Sequence, residues 1–489
     1  MKNHQTIKYA TCPVLFCLLL WVASCAINPV TGQRELMLLS EADEIRLGRE
    51  ADAQVVKTYG IHDDAGLNGY INNLGQSMAR LSHRPNLPFE FKILDSPVIN
   101  AFAVPGGYVY LTRGILGYLN NEAELACVLG HEIGHVTARH VAQQYSRAQL
   151  AQLGLELGTI ISEKSQYDKL AQFGVGMLFL RFSRDNERQA DNLGVEYATR
   201  AGFDAGHMAN FFKTLERLRP SADRSGLEDW FSTHPNPPNR IRAVQRKAQE
   251  WARRLGTTNL RTNQDIYLRK IDGLVFGEDP NQGYVDNNVF YHPGLKFEFP
   301  APVGWKINNT PAQVQMVSKE QDAIILFSLE PGNTPKGAAR QFIADAKARV
   351  IRFDAVTING LPAQRLISDI ITRKGPIRMM SYFIQKNKRI FVFHGFTSQA
   401  LFEIYRPTFH ATMSRFKALT DPRRINVKPD RLRVRATRAA GTLKKALRSL
   451  GVADKKLEDM AVLNGKKLTD TIPANTLLKV VERERIKTS

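Results

Sequence analysis

From residue 40 to about residue 273, apolar positions recur at the three- and four-residue spacing of amphipathic helices. Ser40 and Asp43 mark the start of a helix that should run to about Tyr59, and a second should cover roughly residues 66 to 81. Two denser apolar segments follow, 89 to 94 and 100 to 111, with Pro105-Gly106-Gly107 inside the second. These predict strands joined by a turn. Asn120 or Asn121 then caps a long helix expected to reach about Gln149, and helical periodicity continues over 150–180, 186–201, 205–218 and 239–254. The stretch 150–180 is apolar, but Glu156, Glu163, Lys164, Asp168 and Lys169 interrupt it, so packed helices are expected there, not a membrane span. After Gly277 the period shortens. Residues 288–420 alternate β-rich runs (323–329, 379–385, 389–395) with turn signals and two helical stretches near 336–350 and 399–416. That pattern predicts an α+β domain with a largely antiparallel sheet, in which no cluster has catalytic spacing. The final stretch reads strand (432–437), helix (443–450), helix (456–463), turn Asn464-Gly465 and strand (477–481). The predicted architecture is multidomain: a mainly α domain with a small β-sheet, an α+β antiparallel-sheet domain, and a small βααβ module.

Length and charge sharpen this outline. A chain of 489 residues holds roughly three domains of ordinary size, and 43% hydrophobic residues exclude a disordered polymer. The net charge of +20 invites an anionic partner: nucleic acid, anionic lipid headgroups or another polyanion. Residues 421–489 hold 18 Lys/Arg against 8 Asp/Glu, a net of +10 and half the excess. Location narrows the choice. Lys2 and Lys8 precede a ten-residue apolar core at 13–22, too short to cross about 30 Å of hydrocarbon, which reads as an export signal over residues 1–24. Val22-Ala23-Ser24-Cys25 resembles a bacterial lipobox, which implies cleavage before Cys25, acylation of that residue and a lipid anchor in the periplasm. Ala26 is not the aspartate that typically retains lipoproteins at the inner membrane, so the outer membrane is favoured. Export removes nucleic acid as a partner. Of four cysteines only Cys127 would remain a free thiol in the mature chain, in an apolar run where it is expected to be a buried small hydrophobe.

The chemistry starts at His131-Glu132-Ile133-Gly134-His135. Residues four apart share a helix face, so both imidazoles can converge on one cation, and imidazole suits Zn²⁺. Glu132 projects about 100° round the helix, where a carboxylate can take the proton of an attacking water and return it to a leaving amine. Some fifty residues on, Ser183 to Asp191 (SRDNERQAD) opens another helix. Glu187 can supply a third ligand, and Asp191, one turn further, can accept the free ring N–H of a ligating histidine.

These motifs resemble the gluzincin zinc metallopeptidases of the CAAX prenyl protease and HtpX superfamily, in particular the exported bacterial, periplasmic lipoprotein type. Four features match in order over roughly residues 28–275: Asn100 to Gly107 (NAFAVPGG), the HExxH helix, the Glu187/Asp191 helix, and Ser232-Thr233-His234-Pro235 with Arg240. The resemblance implies a zincin-type domain over 25–277 with one Zn²⁺ per chain held by His131, His135 and Glu187, and Glu132 as the base. It implies a substrate-binding edge strand carrying Asn100, Ala101, Phe102, Ala103, Gly106 and Gly107, which fits recognition of an extended peptide by main-chain hydrogen bonds. The two glycines would let a chain approach closely. His234 would lie near the metal, as an oxyanion stabiliser or as a fourth ligand holding the enzyme latent. Arg240 would face the developing charge or anchor its loop. Residues 285–420 form the domain of unassigned role. Residues 428–483 resemble a LysM module at Gly441-Thr442-Leu443, Leu463-Asn464-Gly465, Ile472-Pro473 and Leu477-Leu478-Lys479-Val480, with Ala440 where the family has glycine and Gly441 where it has aspartate. That implies peptidoglycan or anionic lipid as the module's partner. The expected function is cleavage of misfolded or misassembled envelope proteins. The alternative is a non-proteolytic assembly factor with a latent zinc site, tethered to the cell wall.

Overall fold

Helix α1 (Glu41–Tyr59) opens with Glu41, Asp43 and Glu44 at its positive end and buries Leu47, Ala51 and Val55 on one face. Helix α2 (Ala65–Ala79) is capped by Asp64, whose carboxylate accepts from the Leu67 amide at 2.9 Å. The computed structural model describes residues 25–156, 182–218, 230, 233–234, 239–372 and 375–483. Within these the chain forms two compact units. One comprises most of 25–274 together with 432–480, and the other chiefly 275–431. No described helix is long and apolar enough to cross a membrane.

Three strands build the small sheet of the first unit: β1 (Glu90–Leu94), β2 (Ala101–Val104) and β3 (Tyr108–Thr112). Strand β3 is central, parallel to β1 and antiparallel to β2, so β2 is an edge. The turn between β2 and β3 holds Gly106 at φ 80° and Gly107 at φ 99°. A Cβ on Gly106 would lie 2.8 Å from the Glu44 carbonyl oxygen, and one on Gly107 3.0 Å from that of Pro88. The chain that approaches these glycines is therefore the protein's own, from α1 and the lead-in to β1.

After a short helix α3 (Arg113–Tyr118), Asn121 caps α4 (Glu122–Thr137), accepting from the Glu124 amide at 2.8 Å. Every residue of α4 is buried. Here too the sequence expectation changes: the single helix expected to run to Gln149 is two. Helix α4 ends at Thr137, Arg139 turns left-handed at φ 59°, and α5 (His140–Glu156) starts in a new direction. No glycine marks the break. Arg139 is held there by hydrogen bonds to Glu44 and to the Leu39 carbonyl, and Glu44 also binds Arg84 at 2.9 Å. Buried charge pairing thus offsets the left-handed strain of about 1–2 kcal/mol. The helices expected over 150–180 fall, beyond Glu156, outside the described residues.

Helix α6 (Arg184–Arg200) starts with a capping box between Ser183 and Asn186. It crosses α4 where two glycines meet: a Cβ on Gly194 would sit 2.9 Å from the His131 amide nitrogen, and one on Gly130 2.8 Å from the Gly194 carbonyl oxygen. Only glycines permit this spacing, and it brings Glu187 and Asp191 up to the HExxH turn. Helices α7 (Met208–Leu218), α8 (Arg240–Arg254) and α9 (Gln264–Lys270) complete the surround.

The second unit carries a seven-stranded antiparallel sheet in the order Arg349–Ile358, Leu361–Thr372, Gly375–Lys386, Arg389–Ser398, Ala323–Glu330, Gln313–Val317, Lys306–Asn309. Phe290, Phe297, Phe299, Phe327, Phe391 and Phe393 fill its core. Its helices lie at Pro335–Asp345 and Phe402–Met413, close to the expected stretches.

The C-terminal module follows the expected order, with strand Asp430–Ala436, helices Leu443–Ser449 and Leu457–Leu463, and strand Leu477–Arg483 pairing with the first. Residues 432–480 pack in the same compact unit as α4. Lys479 is wholly buried, and its ammonium donates to the Gly117 and Leu119 carbonyls at 2.8 and 2.7 Å, at the foot of α4. Burial pushes Lys479 down and Glu124 of α4 up, both to about 7. Arg217 of α7 adds bonds to Glu458 and to the Lys466 carbonyl.

Candidate active site

Helix α4 places His131 and His135 one turn apart, with their Nε2 atoms 3.0 Å from each other. Glu187 of α6 lies against both: its carboxylate oxygens are 3.7 Å from His131 Nε2 and 3.4 Å from His135 Nε2. His234 completes the group, with Nδ1 3.0 Å from Glu187 and 3.4 Å from His131 Nε2. One donor atom from each of the four residues lies within 4.8 Å of the others, and all four residues are buried. Two aromatic rings wall the group. Phe182 stacks on His135 at 4.0 Å and Trp230 on His234 at 4.6 Å.

Asp191 accepts from His131 Nδ1 at 3.0 Å, which leaves His131 Nε2 for the cluster. Arg240, from the first turn of α8, grips Asp191 with Nε and Nη2 at 2.7 Å each and reaches Glu187 at 3.3 Å. Its guanidinium also covers the Phe212 ring at 4.0 Å. Arg240 thus holds the carboxylate that hydrogen-bonds His131.

Glu132 is fully buried, and neither carboxylate oxygen has a hydrogen-bond partner; its nearest cationic neighbour is His234 Nε2 at 3.8 Å. Desolvation pushes its pKa up. Burial would raise Glu187 as well, but His234, through its charge and its hydrogen bond, helps pull it well below the usual carboxylate range. Desolvation holds His135 well below the usual histidine range.

Three imidazoles and one carboxylate match the ligand preference of zinc. The donor chemistry fits in a second respect. His131 and His135 bring ring nitrogens to 3.0 Å while the other nitrogen of each has its own partner, and Glu187 Oε2 is buried without a hydrogen bond. Lone pairs so crowded call for a cation among them.

Strand β2 runs beside this group. Asn100, Ala101, Phe102 and Ala103 are buried, and His234 Nε2 lies 3.3 Å from the Ala101 carbonyl. The turn bearing His234 thus touches the edge strand and the ligand cluster together. His140, Gln189, Phe182 and Trp230 also surround the group, and none of them stood out in the sequence. His140 Nδ1 lies 2.9 Å from His135 Nδ1, and its Nε2 lies 2.9 Å from Gln189 Oε1. Burial pushes His140 down to about 4.

Residues 66–248 match the model of Peptidase family M48. Among curated proteins, the chain is 30% identical over 252 residues to the Beta-barrel assembly-enhancing protease of Escherichia coli (strain K12), covering 50% of each chain. It is 33% identical over 232 residues to the protein of that name from Yersinia pestis, covering 45% of this chain and 46% of the relative. It is also 31% identical over 230 residues to the Mitochondrial metalloendopeptidase OMA1 of Schizosaccharomyces pombe, covering 46% of this chain and 65% of the relative. The chain spans about half the length of the first of these relatives.

Proposed function

We propose that the chain, whose residues 66–248 match the model of Peptidase family M48, is a zinc-dependent endopeptidase acting on misfolded or misassembled proteins of the bacterial envelope. One observation carries the reading: an unpartnered, buried Glu132 beside a four-residue donor cluster. A structural metal site has no use for such a carboxylate. His131, His135 and Glu187 would hold the zinc, which when bound would polarise the scissile carbonyl and acidify the attacking water. Glu132 takes a proton from that water and delivers it to the leaving amine; its raised pKa suits a group that must both accept and donate. Asp191 and Arg240 hold His131 in the tautomer that leaves Nε2 free. Strand β2 would pair with the substrate backbone. The chain's likeness to a Beta-barrel assembly-enhancing protease supports envelope proteins as substrates, and its likeness to a metalloendopeptidase supports the reaction. The test is cleavage of an unfolded protein by wild type and Glu132→Gln, with bound zinc measured in both.

A latent form is the second reading, favoured by His234. Its ring sits in the fourth donor position and on the Ala101 carbonyl, so it occupies both a ligand place and the first backbone acceptor of β2. If His234 is the latch, His234→Ala raises basal casein cleavage at least about tenfold, because a minor open state is typically populated at roughly 0.1–10%. A fall in that rate would assign His234 to oxyanion support instead.

The envelope location rests on the signal and Cys25, and a tether to peptidoglycan or anionic lipid rests on the basic, LysM-like residues 428–483. Cys25→Ser is expected to move the chain from the membrane fraction to the soluble one. Unchanged membrane recovery would remove the lipid anchor.

A further inference from the structure

We propose that His140 and Gln189 are positioning residues: together they fix the proton on His135 Nδ1, so that His135 presents a bare Nε2 to the metal. The inference rests on the zinc reading of the cluster and deepens it. Gln189 Oε1 can only accept, so at 2.9 Å His140 Nε2 must carry a proton. A neutral imidazole has one N–H, which leaves His140 Nδ1 as an acceptor. His135 Nδ1 lies 2.9 Å away and must therefore be the donor. The ring's other nitrogen, Nε2, is then unprotonated and points at His131 Nε2 and Glu187. Three separate elements contribute to this chain of hydrogen bonds. Gln189 stands on α6 two residues past Glu187, His140 is the first residue of α5, and His135 is on α4. The left-handed Arg139 is what brings His140 back over His135, since an unbroken α4 would have carried residue 140 away along the helix axis.

The two histidine ligands are thus held differently. His131 donates to a carboxylate that Arg240 pins, and His135 donates to an uncharged relay ending at the half-buried Gln189. Partners of this kind typically change metal affinity by 10–100-fold when removed. A merely packed His140 would tolerate any ring of similar shape, whereas a relay needs an acceptor at Nδ1.

The experiment compares His140→Phe, which keeps the ring shape without the acceptor, with His140→Asn, whose side-chain amide carries polar atoms near the Nδ1 position. Zinc dissociation constants of the purified full chain are measured by competition with a chelating dye. The ¹⁵N shifts of the His135 ring are recorded in the zinc-free protein. Expected are a roughly 10–100-fold weaker constant for His140→Phe, a value within a few-fold of wild type for His140→Asn, and mixed His135 tautomers only in the Phe variant. Equal zinc affinity for Phe and Asn, or a wild-type His135 tautomer in the Phe variant, overturns the relay. If His140→Phe does not fold, Gln189→Leu against Gln189→Glu at the half-buried end makes the same comparison, with weakening expected only for Leu and equal affinities again overturning the relay. A wild-type chain that does not hold zinc would overturn the peptidase reading itself, whereas tight zinc in both wild type and His140→Phe would overturn only the relay.

Discussion

Glu132→Gln is expected to lower casein cleavage by roughly 10²–10⁴-fold, the usual contribution of a positioned general acid–base group, while zinc content stays at that of wild type. The argument is one of isolation. Both Glu132 oxygens are buried without hydrogen bonds, so the side chain holds no other structure together. Glutamine has nearly the same volume and fills the same space, and its amide cannot take a proton from water. It also removes a buried carboxyl whose pKa desolvation already raises, so the fold should lose nothing. His131, His135, Glu187 and His234 are untouched, which is why metal content and rate should separate. Equal, chelator-insensitive cleavage by wild type and variant would sink the endopeptidase reading. Loss of zinc together with activity would instead move Glu132 from base to ligand.

Arg240→Met is expected to destabilise the zinc-free protein by roughly 3–5 kcal/mol, the penalty for leaving one member of a buried ion pair alone. For a unit of this size that is about 6–20 °C in Tm. Arg240 is 5% exposed, and its fork makes two 2.7 Å bonds to Asp191 with a 3.3 Å contact to Glu187. Methionine can keep the packing on Phe212 but leaves Asp191 charged in a buried site. Lysine would not restore it, because one ammonium cannot reproduce a planar two-point grip. Asp191→Asn should therefore recover much of the loss in the double variant, since the two residues share one interaction. Additive losses, or an unchanged melting temperature for Arg240→Met alone, would show that the pair contributes little. Added zinc should restore the variant only in part, because it neutralises charge at Glu187 and not at Asp191.

Much of this site was legible because its key spacings are local. HExxH declares one helix face, and Glu187 and Asp191 declare another by the same i, i+4 rule. Strand β2 could be read from its apolar run, and the second unit from a change of period. The rest depended on contacts that no local pattern encodes. Nothing in Thr137-Ala138-Arg139 announces a helix break, because the cause is Glu44, some 95 residues earlier in the chain. With the break unseen, His140 read as one more residue of a long helix. Gly106 and Gly107 were recognised as points of close approach, but only the folded chain shows α1 and the lead-in to β1 lying against them. The basic tail misled in a subtler way. Lys479 lies in the last strand and counts toward the surplus of positive charge, yet it is buried on two backbone carbonyls and offers that charge to no outside partner.

That lysine also sets a clock. Leu119 and Lys479 are 360 residues apart. A ribosome adding roughly 5–20 residues per second needs about 20–70 s to travel between them. Throughout that interval the foot of the HExxH helix lacks its last support, and the unit around it is short of residues 432–480. Contacts of such separation also make final assembly slow. A nascent or prematurely terminated chain would hold every residue of the donor cluster without the completed scaffold beneath it. Residues 432–480 thus close that scaffold after every residue of the cluster has already been made.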